Sequence, residues 1–407
     1  MRSLSLLTCA RNLVSNNLLR NELKGKTLTL ARIHHRGLAT SSVSIVDLRS
    51  DTLTKPTPKM REAMKNAVVG DDCYGEDPTV NKLQDVCASM LGKEASLFVP
   101  TCTMANITAV IVHASGGFSE ILLGEDSHMF LYEVAGMARF AGVQGRCVST
   151  LPNGTLDLAE LEGKIRPLDD VHQPWTKLIC LENTHNKCGG RVVSLDYIQK
   201  VKEIARKNNL SFHLDGARLF NASTALKVPV SEVAQHFDTV SIAFSKGLCC
   251  PSGSILAGSK EFIAMARRAR KALGGGMRQA GVVAAPMLVA LEEMVDLLAD
   301  DHDRAARIAQ GLTAMGDNPV CSIAMDGVQS NIVMIDMKGK VSSEQFAQRM
   351  EQVSDREKTA LGEAVSVRML PFTATTVRYV THHDVSDEDV DKAVRKIQYV
   401  IEELSSQ

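Results

Sequence analysis

The chain of 407 residues predicts an α/β fold: a mixed, mostly parallel sheet covered on both faces by helices, followed by a smaller α+β domain. Three observations carry this. Short apolar runs of strand length alternate with segments of helical period through the first two thirds of the sequence. Several of those runs stop at a polar or charged residue, as strands of a parallel sheet do where the ligand crevice opens. After Gly281 the pattern changes to a long helical region and then to strands interleaved with helices.

Residues 1–44 stand apart. They carry Arg2, Arg11, Arg20, Lys24, Lys26, Arg32 and Arg36 against one acid, Glu22, in a background of leucine and serine. That is the composition of a mitochondrial transit peptide, with cleavage expected near residues 36–42. Glu76-Asp77-Pro78 then opens an amphipathic helix whose apolar stripe runs from Val80 to Leu91 and stops at Gly92. A strand over 95–100 leads into a helix over 101–116, and further strands fall near 121–123, 145–150 and 178–182, with a helix at 156–165. Helix 195–208 places Ile198, Val201 and Ile204 on one face and feeds a strand ending at Asp215; the next strand ends at Ser245-Lys246-Gly247. Beyond it come helical sequence over 283–315, strand 331–337, a helix, strand 376–380 and a terminal helix starting at Ser386. The expected division is 1–44 as a transit segment, 45–290 as a large domain with an N-terminal arm, and 291–407 as a small one.

Composition excludes several classes. Formal net charge is −1, so no bulk pull toward nucleic acid or an anionic membrane is expected. The longest apolar run, Val282–Leu291, is too short to span a bilayer and contains Pro286. Ten cysteines lack Cys-x-x-Cys spacing and paired histidines, so neither a zinc site nor a disulfide scaffold is expected. No Gly-x-Gly-x-x-Gly follows the first strand, against a dinucleotide site.

Asp215 and Lys246 close adjacent strand patterns and can face one pocket. A lysine among apolar neighbours has its ammonium form disfavoured and becomes a nucleophile toward a carbonyl. Pyridoxal 5'-phosphate uses such a lysine together with an acid at its ring nitrogen. A turn-capping aspartate and a solvent-edge lysine would look the same, so other residues must decide. Thr101-Cys102-Thr103, between a strand and a helix, suits a phosphate. His128 and His185 each sit just past a strand and are candidates for proton transfer. Arg378 offers the planar fork that a carboxylate wants, and Arg218, three residues past Asp215, is close enough to touch the cofactor's ring hydroxyl or that carboxylate; as structural residues, Arg378 could keep its head in solvent and Arg218 could pair with a nearby acid. Tyr74 and Arg278 occupy glycine-rich loops, where exposed aromatic and basic residues usually contact a partner.

The segments VDLRSDTLT (46–54), GDDCYGEDPTV (70–80), DGARLFNA (215–222), SKGL (245–248) and LGGGMRQAG (273–281) resemble, in order, those of the threonine aldolases among the fold-type I pyridoxal-phosphate enzymes. The resemblance runs from about residue 45 to the C-terminus. It implies that Lys246 carries the cofactor, Asp215 holds its ring nitrogen, and Cys102 and Thr103 hold its phosphate. It further implies that His128 stacks on the ring, that Arg378 and Ser50 bind the substrate carboxylate, and that Tyr74 and Arg278 cross to a neighbouring subunit of a homodimer or homotetramer. The implied reaction cleaves threonine or allo-threonine to glycine and acetaldehyde; a β-eliminating lyase, an aminotransferase or a non-catalytic homologue would share Asp215 and Lys246. Relatives usually have glycine where Cys102 stands, so its Cβ is expected to crowd the phosphate; they also have a smaller residue at Cys250 and an apolar one at Ser252, which leaves the wall beside Lys246 open.

Overall fold

In a computed structural model, residues 43–406 except Ser115 are described. The expected transit segment therefore lies, apart from Val43 and Ser44, outside the described residues. The strands are β1 (Ser44–Asp47), β2 (Ala95–Val99), β3 (Ser119–Gly124), β4 (Gln144–Val148), β5 (Trp175–Glu182), β6 (Ser211–Gly216), β7 (Thr239–Ala243), β8 (Ser254–Gly258), β9 (Cys321–Ser322), β10 (Ile332–Met337), β11 (Val365–Arg368), β12 (Leu370–Pro371) and β13 (Thr376–Val380). Seven form one sheet in the order β2-β8-β7-β6-β5-β3-β4, in which only β8 runs against its neighbours. The sheet is mixed and mostly parallel, as expected.

Period-two alternation explains why both faces are covered. Phe98, Leu122, Ile179, Leu181 and Ile255 point into one core with the helices Pro78–Leu91, Leu195–Lys207 and Gly281–Glu293. Their neighbours Leu97, Val99 and Leu256 pack under the helices Cys102–Ala114 and Lys260–Ala272, while Ile121, Leu123, Leu178 and Cys180 form the adjoining patch on that second face. Asp77 caps the helix Pro78–Leu91 by accepting from the N–H groups of Thr79 and Val80, and Gly92 ends it at φ 63°. Ser386 and Asp389 form a capping box at the start of the last helix, Asp387–Ser405.

A second sheet, β12-β13-β10-β9, is antiparallel. Its core also takes in β1, which pairs in parallel with β11: Val46 and Leu48 are buried among C-terminal side chains such as Val365, Tyr379 and Ile397. The arm placed with the large domain on sequence grounds thus packs on the C-terminal core. Residues Val43–Gln407 form one compact unit. The helical sequence over 283–315 is two helices, Gly281–Glu293 and Leu298–Thr313. Among the described residues no helix is long and apolar enough to cross a membrane.

Leu48 is fully buried, its amide donates to the Arg368 carbonyl and its carbonyl accepts from Val380 N–H, so the residues after it leave the strand in a fixed direction. Leu48→Ala is expected to cost about 2–5 kcal/mol in chemical denaturation and to lower activity, because Ser50 and Asp51 lose their support.

Candidate active site

The C-terminal ends of β5, β6 and β7 place Glu182, Asp215 and Ser241 side by side, since Glu182 pairs with Asp215 and Asp215 with Ser241. Lys246 follows β7 on a turn closed by Cys249 N–H to the Lys246 carbonyl (2.9 Å), and the Thr54 hydroxyl donates to the same oxygen (2.8 Å). Beside these strand ends opens a cavity of about 460 Å³, within the usual range for small-molecule sites. Ser50, Thr52, His128, Tyr132, Asn186, Arg218, Lys246, Arg378 and the segment 370–372 line it. Five of the expected site residues, Ser50, His128, Arg218, Lys246 and Arg378, therefore meet in one place.

Asp215 lies just beneath, 1% exposed. Its carboxylate accepts from Asn106 Nδ2 (2.9 Å) and from the Ala217 amide (3.1 Å). Asn106, in the helix Cys102–Ala114, also donates to Glu133 (2.9 Å) and accepts from Ser241 (2.7 Å) and His213 (3.2 Å). His128 starts a short helix, Ser127 being its N-cap. Its amide donates to Glu182 Oε2 (2.6 Å), whose other oxygen accepts from the Asn186 amide (2.8 Å). The His128 ring meets Glu133 through Nδ1 at 3.2 Å.

The two arginines behave differently. Arg218 forms a buried bidentate pair with Asp51 (2.7 and 2.8 Å), and Asn331 donates to the same acid (3.1 Å). Burial alone raises the Asp51 carboxyl, but Arg218 outweighs it and, with Lys246 and Asn331, holds the acid well below the usual carboxylate range. Arg378 has no acid partner among the described residues. It donates to the Asn186 side chain (3.0 Å) and the Arg49 carbonyl (3.3 Å), leaves a buried Nε without a partner, and lies over the Phe372 ring at 5.2 Å. Burial, and then the neighbouring Arg218, push it down to about 10, so at neutral pH it stays a cation lacking a counter-charge. An incoming carboxylate would supply one.

Several expectations need adjusting. Cys102 begins its helix, but its sulfur turns inward, 3.9 Å from Asp215 and 3.6 Å from Ser241, and burial followed by the Asp215 charge pushes the thiol up to about 12. The crowding anticipated at the phosphate is thus directed toward the ring-nitrogen end instead. The Cys102 and Thr103 amides lie in the first helical turn, where N–H groups have no intrahelical acceptor. His185 is 2% exposed, is not among the cavity-lining side chains, and accepts at Nδ1 from the Cys188 amide (3.3 Å). That bond sets the neutral ring's proton on Nε2. Tyr74 and Arg278 are exposed and away from the cavity; Arg278 pairs with Asp71 (3.1 Å), and its carbonyl accepts from Asp72 N–H (3.0 Å). Cys250 is core, with its amide on the Phe244 carbonyl, and Ser252 bonds the Pro100 carbonyl, so neither forms the wall beside Lys246. Sequence reasoning missed Asp51, Asn106, Glu133 and Asn186. Asp51 lay inside a segment already singled out and Asn186 next to His185, but only the fold shows what they face.

Pyridoxal phosphate fits this donor set. Among the described residues, Lys246 presents an amine with no acid partner, Asp215 a buried carboxylate held in place by donors, and the first turn at Cys102–Thr103 offers unused amides. Asp51→Ala would leave the buried Arg218 unpaired, and a loss of about 3–5 kcal/mol is expected in urea denaturation at neutral pH.

Residues 47–340 match the Beta-eliminating lyase family. Low-specificity L-threonine aldolase 1 of Arabidopsis thaliana is 42% identical over 85% of this chain and 93% of its own length. The low specificity L-threonine aldolase of Escherichia coli (strain K12) is 41% identical over 85% and 96%. The solved structure of Leishmania major threonine aldolase superposes with a TM-score of 0.71 at 18% identity, over 88% of this chain and 99% of that one, and so shares the fold. This chain belongs to the Beta-eliminating lyase family and, within it, to the low-specificity L-threonine aldolases.

Proposed function

We propose that the chain cleaves L-threonine and L-allo-threonine to glycine and acetaldehyde with pyridoxal 5'-phosphate. The observation that carries this is a single cavity lined by the Lys246 amine and by a buried Arg378 that no acid among the described residues neutralises, beside the carboxylate of Asp215. Lys246 would hold the cofactor's aldehyde carbon, Asp215 its ring nitrogen, the Cys102 and Thr103 amides its phosphate, and His128 its ring face. When bound, the cofactor supplies an aromatic sink for the electron pair of a bond broken at the substrate's Cα.

The protein does the rest. Arg378 binds the α-carboxylate through its fork of N–H donors, and the Ser50 hydroxyl adds a second contact. Anchoring that group selects which Cα bond is aligned to break. An imidazole in the cavity, His128, takes the β-hydroxyl proton, the Cα–Cβ bond opens to acetaldehyde, and a proton is returned to Cα to give glycine. The Arg218–Asp51 pair has no charge to spare and acts as the fixed wall of the carboxylate pocket.

Tyr74 and Arg278 are assigned to the neighbouring subunit's site in a homodimer or homotetramer. This is supported by their exposure and by the bonds that lace the 71–75 loop to Met277 and Arg278. The basic, leucine- and serine-rich residues 1–44 support delivery to the mitochondrion, where the reaction would feed glycine synthesis and threonine catabolism; N-terminal sequencing that found Met1 on the mature protein would remove that reading.

The purified protein is expected to release acetaldehyde and glycine in equal amounts from both threonine diastereomers. Ammonia or a keto acid in their place would instead point to β-elimination or transamination. Lys246→Ala should lower turnover by about 10⁴-fold or more. Arg378→Lys should raise KM by about tenfold, or about 1.4 kcal/mol, because an ammonium cannot bind the carboxylate in two places. Mixing Lys246→Ala with Arg278→Ala chains should restore activity if the sites are shared; no recovery would confine each site to one chain.

A further inference from the structure

One buried group in the site has no part in the reaction as written above. Glu133 is 5% exposed, and its Oε1 lies 3.2 Å from His128 Nδ1 and accepts from Asn106 Nδ2 (2.9 Å). Asn106 is fully buried, and all its hydrogen-bonding capacity is used: two donations to Glu133 and Asp215, two acceptances from Ser241 and His213. Its amide cannot flip without facing carbonyl oxygen to two carboxylates. His128, Glu133 and Asp215 lie within 4.8 Å of one another, a spacing that could suggest a metal. The Asn106 amide already donates to both acids, so the cluster is closed by hydrogen bonds instead.

We propose that Glu133, held by Asn106, is a positioning residue that fixes the His128 tautomer with its proton on Nδ1 and its Nε2 lone pair free, making His128 Nε2 the base that takes the β-hydroxyl proton. This rests on the aldolase reading. The logic is that of any carboxylate–imidazole pair: an acid on one ring nitrogen leaves the other basic and steadies the imidazolium once it forms. His185 has the opposite arrangement, since it accepts at Nδ1. Asn106 also ties the arrangement to the carboxylate meant for the cofactor's ring nitrogen, so base and electron sink share one rigid amide.

The charges facing His128 are Glu133, Asp215 and Glu182 on the acidic side and Lys246, Arg218 and Arg378 around the cavity, with the Tyr132 ring 5.6 Å from the imidazole. The hydrogen bond to Glu133 lifts the imidazole above its ordinary range, burial opposes it, and the charges of Asp215, Glu133 and Glu182 add to the rise. A base whose cation is favoured works only above its raised pKa, so the acid limb of the pH profile belongs to His128. Glu133→Gln keeps an acceptor oxygen on Nδ1 but removes the charge. The limb should therefore move to lower pH.

The test is nitrogen NMR of the full chain, labelled with 15N-histidine and loaded with cofactor, the His128 signal being assigned by its loss in His128→Asn. The neutral ring is expected to carry its proton on Nδ1. In Glu133→Gln the titration midpoint should fall by about one unit, the acid limb of kcat/KM should follow it, and kcat should drop about threefold to tenfold with KM unchanged. A wild-type ring protonated on Nε2, or a Glu133→Gln midpoint within about 0.2 unit of wild type, would overturn the proposal. Protein that releases no acetaldehyde would remove the aldolase reading yet still report tautomer and midpoint, so the two failures are distinguishable.

Discussion

The buried ion pair between Arg218 and Asp51 joins parts of the chain that nothing local would bring together. Arg218 follows β6 of the large sheet, whereas Asp51 follows β1, which among the described residues pairs with β11 alone. Two charges removed from water are tolerated only if their geometry is close to ideal. Here both oxygens of the acid meet nitrogens of the guanidinium, and Asn331 adds a third donor. The segment 49–54 is thereby pinned against the strand ends, with Ser50 lining the cavity and the Thr54 hydroxyl bonded to the Lys246 carbonyl.

That constraint also explains why Arg378 is available. With Asp51 committed to Arg218, no acid among the described residues neutralises the second guanidinium, and Asn186 stands between the two, accepting from both (3.3 and 3.0 Å). An uncompensated buried cation costs stability, as strained or unpaired groups at functional sites commonly do. The substrate carboxylate would relieve it, so binding energy is concentrated on the group that every α-amino acid carries. Selectivity for the β-hydroxyl must then come from another group lining the cavity, His128, which Glu133 and Asn106 back from the buried side.

Much of this was legible in the sequence where local chemistry and fold agree. The helix after Asp77-Pro78, the strand stopping at Asp215 and the capped final helix all carry start and stop signals that the fold uses unchanged. β1 and β8 were not legible: β1 is four residues long with only Val46 buried, and the wholly buried β8 shows no alternation that separates it from helix or loop. The site divides in the same way. Lys246, Asp215 and Arg378 are marked by residue type at strand ends. Asn106 looks like one more polar residue on a helix, and Glu133 like one more acid in a loop; their meaning depends on contacts across 109 and 27 residues of sequence. Cys102 shows the limit from the other direction. A Cβ was expected to crowd the phosphate, yet the side chain lies under the strand ends beside Asp215.

The account stands on Lys246 and Asp215 serving one cofactor. Borohydride reduction of the holoenzyme followed by peptide mass mapping tests that most directly, because reduction locks the cofactor to whichever amine holds it. The phosphopyridoxyl group should be found on Lys246 alone, with one equivalent per chain. Labelling at another lysine, or none at Lys246 in protein that releases acetaldehyde, would contradict the account.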